Sequence, residues 1–401
     1  MDKVLITSLK EQNKDVDTSF LNEEVSKKAR NFHKSFPQYK ETPLVELKNL
    51  SEEIGLKNFF VKDESYRFGL NAFKVLGGSF AIGNYIAERL NMNLSDLPYE
   101  KMISDEIREQ LGEITFATAT DGNHGRGVAW TANQLKQKSK VFMPKGSAAE
   151  RLENIRKENA DADIYEYNYD ECVRLADKYA NEHNGILVQD TSWDGYEDIP
   201  RWIMQGYMTM ASEAFEQLKA QGKEPTHIFL QAGVGSLASA VTGFFANVMK
   251  DNLPTITIVE PQKAACLYKT ASADDGKLHP VTGDMDSIMA GLNCGEPVTV
   301  GWPILSAFAK YFVSVDDLYA AHGMRLLASP RKDDKRIVSG ESGAVTPGFV
   351  HKLMTDERLK DIKEKIGLDE NSVVLCFSTE GDTDKKNYQD VVWDGKYPSF
   401  E

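Results

Sequence analysis

The sequence contains few cysteines, no long apolar run and no excess of basic residues. Its four cysteines, at positions 172, 266, 294 and 376, form no Cys-x-x-Cys pair and have no histidines at matching spacing, so a metal site is not expected. Free buried thiols are the expected state in a cytoplasmic chain, and a reversible link between Cys266 and Cys294 stays an open alternative. No stretch of about 18 apolar residues occurs, so we expect no membrane-spanning helix.

Acidic residues dominate the charge. The 401 residues carry a net charge of −14 and no basic block, so neither nucleic acid nor an anionic membrane is an expected partner. Residues 1–40 are polar and lack the apolar core of a signal peptide. We therefore expect a cytoplasmic protein. We also expect a homodimer, although nothing in the sequence itself fixes the oligomeric state.

Short β-rich runs alternate with longer helical segments along the chain. Near-continuous apolar strands in such a pattern predict an α/β fold of mostly parallel sheets covered by helices. With 41% hydrophobic residues, the chain is long enough for two lobes. We predict a discontinuous larger lobe, residues 1–79 and 191–401, and a smaller lobe, residues 80–190. The predicted strands are 58–62, 114–118, 140–143, 186–188, 227–230, 255–259 and 373–377, and the predicted helices are 23–32, 148–159, 170–183, 202–221 and 238–250.

A lysine and two glycine-containing turns form the most informative group of residues. Lys74 lies in the run Asn-Ala-Phe-Lys-Val-Leu-Gly-Gly of residues 71–78, and the turns are Asp121–Gly125 and Gly233–Leu237. A lysine can form a Schiff base with an aldehyde cofactor, an asparagine can hold a ring oxygen, and a glycine turn can cradle a phosphate. The combination predicts an enzyme that binds pyridoxal phosphate (PLP) through Lys74.

The run Gly233-Val234-Gly235-Ser236-Leu237 follows a predicted strand and precedes a predicted helix. Glycines allow a tight turn and expose backbone N–H groups to an anion at the helix N-terminus. No lysine follows the turn, which argues against a nucleotide triphosphate loop. A dinucleotide-binding turn or a purely structural turn would have the same pattern. The assignment of these five residues to the cofactor phosphate therefore depends on the presence of Lys74.

The turn Asp121-Gly122-Asn123-His124 also separates a predicted strand from a helix. The amide of Asn123 can face a phenolate-type oxygen of the cofactor, and it can also donate to a substrate carboxylate. Backbone N–H groups at a helix start suit the same carboxylate. We assign the four residues to substrate binding, with a structural role for His124. The alternative is an Asp/Asn helix cap in which glycine only supplies the geometry.

Ser378 and Thr379 follow the last predicted strand. A hydroxyl group there could reach the pyridine nitrogen of the cofactor. Such a partner leaves that nitrogen weakly protonated and the ring a moderate electron sink, which suits β-elimination. Both residues are candidates, and the alternative is a polar strand end capped by Glu380 and Asp382.

These motifs, in this order, resemble the fold-type II PLP enzymes, a family with the serine and threonine dehydratases, the cysteine synthases and the tryptophan synthase β chain. The resemblance covers nearly the whole chain and includes Thr42–Leu44, Val259–Pro261 and Ser339–Ala344. Dehydratases of this family usually carry serine where this chain has Asp121. That departure, with Asp190–Trp193 and Trp202–Tyr207, makes the chain similar to the diaminopropionate ammonia-lyases within the family.

The resemblance implies that Lys74 is the Schiff-base lysine and that Asp121 and Asp190 are acid/base carboxylates. A carboxylate also suits a cationic β-ammonium leaving group, and two carboxylates in one pocket would raise each other's pKa. On the residues alone, Asp190 could equally be a polar cap after its strand.

The expected reaction converts D- and L-2,3-diaminopropionate to pyruvate and two ammonia, with Asp121 serving the D-form and Asp190 the L-form. The alternatives are a serine or threonine dehydratase with the same cofactor and a dinucleotide-binding protein without PLP.

Overall fold

Two β-sheets organise the computed structural model, which describes residues 4–398. The larger sheet has seven strands: β1 (Leu5–Thr7), β2 (Leu44–Glu46), β3 (Asn58–Asp63), β8 (His227–Gln231), β9 (Thr255–Pro261), β10 (Tyr311–Val315) and β11 (Val373–Ser378). The smaller sheet has four: β4 (Thr115–Ala119), β5 (Lys138–Met143), β6 (Asp161–Ile164) and β7 (Ile186–Leu187).

Both sheets are mostly parallel. The strand order is β1-β10-β9-β8-β11-β3-β2 in the larger sheet and β6-β5-β4-β7 in the smaller one. The edge strands β1 and β2 pair antiparallel with their neighbours, and the other pairs are parallel. The predicted α/β class with mostly parallel sheets is confirmed. The smaller sheet uses residues 115–187 without interruption, whereas the larger one takes strands from both sides of it; the exact lobe boundaries stay a prediction.

Sixteen α-helices surround the sheets within the described residues, and none is both long and apolar enough to cross a membrane. The predicted helices are present, with ends shifted by up to four residues. The bounds are α1 (Glu23–Lys34), α2 (Lys48–Ile54), α3 (Val75–Arg89), α4 (Tyr99–Met102), α5 (Asp105–Leu111), α6 (Asn123–Gln134), α7 (Ala149–Arg156), α8 (Tyr169–Glu182), α9 (Asp198–Ala220), α10 (Ser236–Val248), α11 (Cys266–Ala273), α12 (Trp302–Phe308), α13 (Asp317–Ala328), α14 (Glu341–Thr355), α15 (Lys360–Ile366) and α16 (Lys385–Val392).

The central strands of the larger sheet are buried on both faces. Side chains alternate across a strand, so neighbouring residues contribute to different cores. In β8, Ile228 and Leu230 pack into one core, and Phe229 packs into the core on the opposite face. This double burial explains why these strands are nearly continuous apolar runs in the sequence.

The helix that follows Lys74 is held tightly between two others. Helix α3 packs against α6, which covers the smaller sheet, and against α9, which belongs to the larger one. A Cβ atom at Gly127 of α6 would lie 2.8 Å from the Cα of Val75, and one at Gly206 of α9 would lie 2.2 Å from the carbonyl oxygen of Leu76. Only glycine permits backbones to approach so closely. The start of α3 is therefore fixed relative to both sheets.

Four charged side chains are fully buried beneath the segment that leads to α3. Lys62 Nζ and Arg67 Nη2 lie 2.8 and 2.7 Å from the carboxylate of Glu213, and Arg67 Nε lies 2.8 Å from Glu64. Buried charges are tolerated when they are paired and hydrogen-bonded. This cluster ties the turn after β3 to α9, and it fixes the path of the chain toward Lys74.

Candidate active site

Strands of both sheets end at one cavity of about 880 Å³. Its walls come from the turns that follow β4 and β7 in the smaller sheet and β8 and β11 in the larger one. The carboxyl ends of parallel strands are where α/β proteins bind their ligands. The lining contains most of the predicted site residues: Lys74, Asp121, Asn123, His124, Asp190, Gly233, Val234, Gly235, Ser236, Leu237 and Thr379.

The loop before Lys74 is hydrogen-bonded to the segment after β11. Phe73 donates its backbone N–H to the carbonyl of Thr379 at 3.1 Å, and Gly381 donates to the carbonyl of Asn71 at 2.9 Å. The Asn71 side chain also donates to Asp382 at 3.0 Å. Two of the predicted motifs, more than 300 residues apart in sequence, therefore form one rigid wall of the cavity.

The amine of Lys74 contacts the carboxylate of Asp190 in the cavity. Burial opposes the charge on the lysine, but the charge and hydrogen bond of Asp190, together with a smaller effect of Tyr207, outweigh it and raise the pKa of Lys74 above its ordinary value. Burial likewise opposes the charge on Asp190, but Lys74, together with smaller effects of His124 and Tyr169, outweighs it, so the pKa of Asp190 lies well below its ordinary value. Tyr169 donates its hydroxyl to the other oxygen of Asp190 at 3.2 Å.

His124 lies behind this pair. Its Nε2 is 2.8 Å from the carbonyl oxygen of Val188, so Nε2 carries the proton, and its Nδ1 is 3.9 Å from Asp190. Burial lowers the pKa of His124, which makes the neutral ring the stable form. This geometry agrees with the structural role assigned to His124 from the sequence, and that role stays a prediction.

Asp121 forms a separate ion pair on another wall of the cavity. Arg151, on α7, donates from Nη1 to Asp121 Oδ2 at 2.8 Å and from Nη2 to Glu341 Oε1 at 3.0 Å. Burial raises the pKa of Asp121, and the positive charge of Arg151 opposes this rise without cancelling it. Gly122 lies outside the cavity lining and against the side chain of Arg151, where a Cβ would be 2.7 Å from Cδ.

The two aspartates therefore differ in protonation behaviour. The expectation that each would have a raised pKa agrees in direction for Asp121 and is wrong for Asp190. The reason is the direct contact of Asp190 with Lys74, whose opposite charge, together with smaller effects of His124 and Tyr169, stabilises the carboxylate more than burial destabilises it.

Asn123 and Ser342 supply polar groups near Asp121. The side-chain amide of Asn123 donates to Glu380 at 2.5 Å. The hydroxyl of Ser342 lines the cavity, is buried, and has no hydrogen-bond partner among the described residues. A buried hydroxyl without a partner is unusual, and in a cavity it offers a contact to a ligand.

The turn Gly233–Leu237 joins β8 to the N-terminus of α10, as predicted. Gly235 has φ of +107°, a backbone conformation that residues other than glycine rarely adopt. Ser236 donates its hydroxyl to the carbonyl oxygen of Asp190 at 2.5 Å. The turn thus presents backbone N–H groups at a helix start and is tied to the Asp190 loop.

Ser378 and Thr379 occupy different environments. The hydroxyl of Ser378 donates to Ser339 at 2.8 Å, outside the cavity lining. Thr379 lines the cavity, and its hydroxyl accepts a hydrogen bond from Gln231 at 2.9 Å. Of the two candidates for the pyridine nitrogen, the structure places only Thr379 at the cavity.

All four cysteines are free in the structure. Cys172, Cys266 and Cys376 are buried, whereas Cys294 is half-buried and lines the cavity. The structure contains no Cys266–Cys294 link. Within the described chain, no group of three His, Cys, Asp or Glu side chains is placed to hold a metal ion.

The cavity side chains that the sequence motifs do not predict include Arg151, Tyr169, Glu341 and Ser342. Arg151 belongs to a predicted amphipathic helix and Tyr169 directly precedes another, and a single arginine or tyrosine at such positions gives no functional signal. Glu341 and Ser342 lie in the run Ser339–Ala344, which was part of the family resemblance. That run was the one signal that could have located them.

The family model for pyridoxal-phosphate-dependent enzymes matches residues 36–374. The chain belongs to that family. The predicted PLP cofactor and the predicted resemblance are thereby confirmed.

Curated relatives cover almost the whole of this PLP-dependent enzyme. The diaminopropionate ammonia-lyase of Salmonella typhimurium is 50% identical over 380 residues, 94% of each chain. That of Escherichia coli K12 is 47% identical over 391 residues, 95% of this chain and 96% of the relative.

The chain is also similar to solved structures of a diaminopropionate ammonia-lyase. A crystal structure of the Escherichia coli diaminopropionate ammonia-lyase in complex with an aminoacrylate–PLP azomethine reaction intermediate superposes with a TM-score of 0.92, at 44% identity over 99% of both chains. The complex of that enzyme with D-serine gives a TM-score of 0.93, at 44% identity over 99% of this chain and 98% of the other.

The residues at the cavity fit PLP. The Lys74 amine, the turn with Gly235 at a positive φ, and the unpartnered hydroxyl of Ser342 all line one space of about 880 Å³. An amine can bind the aldehyde, and N–H groups at the start of α10 suit a phosphate dianion.

Gly235→Val is expected to weaken PLP binding roughly tenfold or more, because valine disfavours a positive φ and the turn would have to change shape. The new Cβ would also lie 3.2 Å from Leu267 Cδ1. PLP affinity is measured by titrating the apoprotein and following the absorbance of the bound cofactor.

Gly222→Val is the matched control, since Gly222 also has a positive φ (+65°) but has open space around it. Equal PLP affinity in the two variants would show that the turn Gly233–Leu237 does not hold the phosphate.

Proposed function

We propose that this enzyme is a PLP-dependent ammonia-lyase that converts 2,3-diaminopropionate and water to pyruvate and two ammonia. The observation that carries the proposal is the placement of two aspartates, Asp121 and Asp190, at the same cavity as Lys74. The 47–50% identity with diaminopropionate ammonia-lyases over most of the chain supports the choice of substrate.

The charge of the cavity favours a diamino acid over a hydroxy amino acid. Among the described residues that line it, eight are acidic and five are basic. A second ammonium group on the substrate is attracted to such a wall, whereas a neutral β-hydroxyl gains nothing from it. Serine and threonine are therefore the poorer substrates in this proposal.

Five elements of the chain would hold the cofactor. Lys74 would bind it covalently through its amine, Gly233–Leu237 would hold the phosphate, and Thr379 would face the pyridine nitrogen. Asn123 would lie beside the ring oxygen, and Ser342 offers a free hydroxyl. When bound, PLP withdraws electrons from the substrate and so makes the proton on Cα acidic.

Asp121 and Asp190 would accept that proton from the two enantiomers. The D- and L-forms present the Cα proton on opposite sides, so one carboxylate cannot serve both. The two aspartates follow different strands, β4 and β7, and have different cationic partners. We assign Asp121 to the D-form and Asp190 to the L-form.

The carboxylates also attract the β-nitrogen in its protonated form, which allows it to leave as neutral ammonia after the Cα proton is lost. The remaining aminoacrylate takes up water in solution and gives pyruvate and the second ammonia.

The purified enzyme is expected to release two ammonia for each pyruvate from diaminopropionate and to turn over serine and threonine far more slowly. A hydroxy amino acid gives one ammonia for each keto acid, so the ratio identifies the chemistry. Coupled assays for both products measure it.

Lys74→Ala is the control for this assay. It should abolish turnover and the near-visible absorbance of the bound cofactor while the far-ultraviolet circular dichroism stays unchanged. If Lys74→Ala kept a tenth of the wild-type turnover rate without added amine, the role of Lys74 would be contradicted. If the wild-type enzyme turned over serine or threonine faster than diaminopropionate, the result would favour a dehydratase.

Asp121→Asn should lose mainly turnover of D-diaminopropionate, and Asp190→Asn mainly turnover of the L-form. Asparagine keeps the size and shape of the side chain but cannot accept a proton. Losses of roughly 100- to 10,000-fold are typical for a general base. Steady-state kinetics on the pure enantiomers measure the effect. Parallel rises in KM for both enantiomers in both variants would mean that the carboxylates only bind the β-ammonium.

The acid limb of kcat/KM should lie at higher pH for the D-form than for the L-form. The raised pKa of Asp121 means that its carboxylate is lost first as pH falls, whereas the lowered pKa of Asp190 keeps its carboxylate charged in more acidic solution. Ionisations of the substrate are the same for both enantiomers, so the difference between the two profiles reports on the aspartates. Coincident acid limbs would contradict the assignment.

A further inference from the structure

Arg151 is buried at the cavity and contacts Asp121 without contacting the Lys74–Asp190 pair. We infer that Arg151 is a positioning residue for the D-specific half of the reaction: it keeps Asp121 charged and aims one carboxylate oxygen into the cavity. This inference rests on the proposed function, and in particular on Asp121 as the base for the D-form.

The contact geometry orients the carboxylate. The Nη1 group of Arg151 binds Asp121 Oδ2 at 2.8 Å, and no described residue donates a hydrogen bond to Oδ1. The Nη2 group binds Glu341 at 3.0 Å and Thr383 at 3.3 Å, which fixes the guanidinium plane. Arg151 is 4% exposed, so the guanidinium cannot leave this position without breaking buried hydrogen bonds.

Gly122 makes room for this arrangement. A Cβ at that position would lie 2.7 Å from Cδ of Arg151 and 3.2 Å from its Cβ. The glycine next to Asp121 therefore allows the arginine side chain to pass directly beneath the turn. The pair Asp121-Gly122 therefore supplies both the carboxylate at the cavity and the space in which Arg151 reaches that carboxylate.

The surrounding charges make Arg151 the main stabiliser of the Asp121 carboxylate. Lys74 also favours the charged form, but it is in contact with Asp190. Burial and the charges of Glu380 and Asp190 act in the opposite direction. The other titratable groups that interact with Asp121 are Tyr169 and Cys294 across the cavity and His124 on the following helix.

Glu341 shares the guanidinium with Asp121, and both carboxyl groups act on the charge of Arg151. Burial, helped by the nearby charge of Glu380 and opposed by Arg151, raises the pKa of Glu341 to about 8. Loss of the arginine would leave Asp121 without its hydrogen-bonded cation.

Arg151→Gln is the test, with kcat/KM measured across pH for both pure enantiomers. Turnover of the D-form at pH 7 should fall by a factor on the order of 100, in the range typical for loss of a working general base. The acid limb of kcat/KM for the D-form should move to higher pH, and part of the lost kcat/KM should be recovered in alkaline solution. Turnover of the L-form should stay within about threefold of wild type, because Asp190 has other partners. Arg151→Lys should restore part of the D-turnover.

Arg156→Gln is the matched control. Arg156 lies on the same helix, but it is exposed and pairs with Glu153 and Asp163 away from the cavity. This variant should leave both profiles unchanged. Equal losses for D and L in Arg151→Gln, with acid limbs at the wild-type pH, would mean that Arg151 only supports the fold and would overturn the inference.

A second measurement does not depend on turnover. Infrared difference titration of the holoenzyme, with Asp121→Asn identifying the band, follows protonation of the Asp121 carboxyl group directly. Its midpoint should rise in Arg151→Gln, or in Arg151→Lys if the glutamine variant does not fold. An unchanged midpoint would overturn the inference. Failure of the wild-type enzyme to act on diaminopropionate would instead overturn the proposed function, while the midpoint would still decide whether Arg151 holds the charge of Asp121.

Discussion

The position of Lys74 depends on the close packing of α3 between α6 and α9. At Gly127 and Gly206 the backbones of neighbouring helices approach so closely that a methyl group would overlap main-chain atoms, not a movable side chain. Overpacking of that kind can be relieved only by displacing a whole helix. Since α6 packs on the smaller sheet and α9 is joined to β3 of the larger one through Glu213, this contact links the two sheets whose strand ends line the cavity.

Within that cavity, the neighbours of Asp121 and Asp190 shift the pKa values of these two aspartates in opposite directions. Asp190 contacts Lys74 and stays charged, whereas burial outweighs the arginine beside Asp121 and raises its pKa. Both carboxylates are removed from bulk water, so the identity and distance of the cation decide the outcome. The cation for Asp190 comes from the start of α3 and the cation for Asp121 from α7. The protonation states of the two carboxylates can therefore be tuned independently.

Much of this arrangement could be predicted from the sequence. Apolar strands followed by Gly, Asp or Ser predict polar turns at one edge of a parallel sheet, and the turns after β4, β7, β8 and β11 indeed meet. Strands β1, β2, β6 and β10 were not predicted, and β1 and β2, with three residues each, carry too little pattern. The burial of Lys62 within a strand could not be foreseen because its partner Glu213 is distant in sequence. Arg151 could not be found, since its helix has the pattern of any surface helix. The choice between Ser378 and Thr379 also required coordinates, because adjacent residues of a strand point to opposite faces.

The last link joins the turn Gly233–Leu237 to the loop that carries Asp190. Ser236 opens α10 directly after Gly235, and its hydroxyl binds the backbone carbonyl of Asp190 at 2.5 Å. The turn that is proposed to hold the phosphate and the loop that carries the carboxylate are thus connected by a single buried hydrogen bond. Such bonds are costly to leave unsatisfied, so this bond couples the position of the loop to that of the turn. The alignment of Asp190 with Lys74 therefore depends on the conformation of the glycine turn, although neither residue belongs to it.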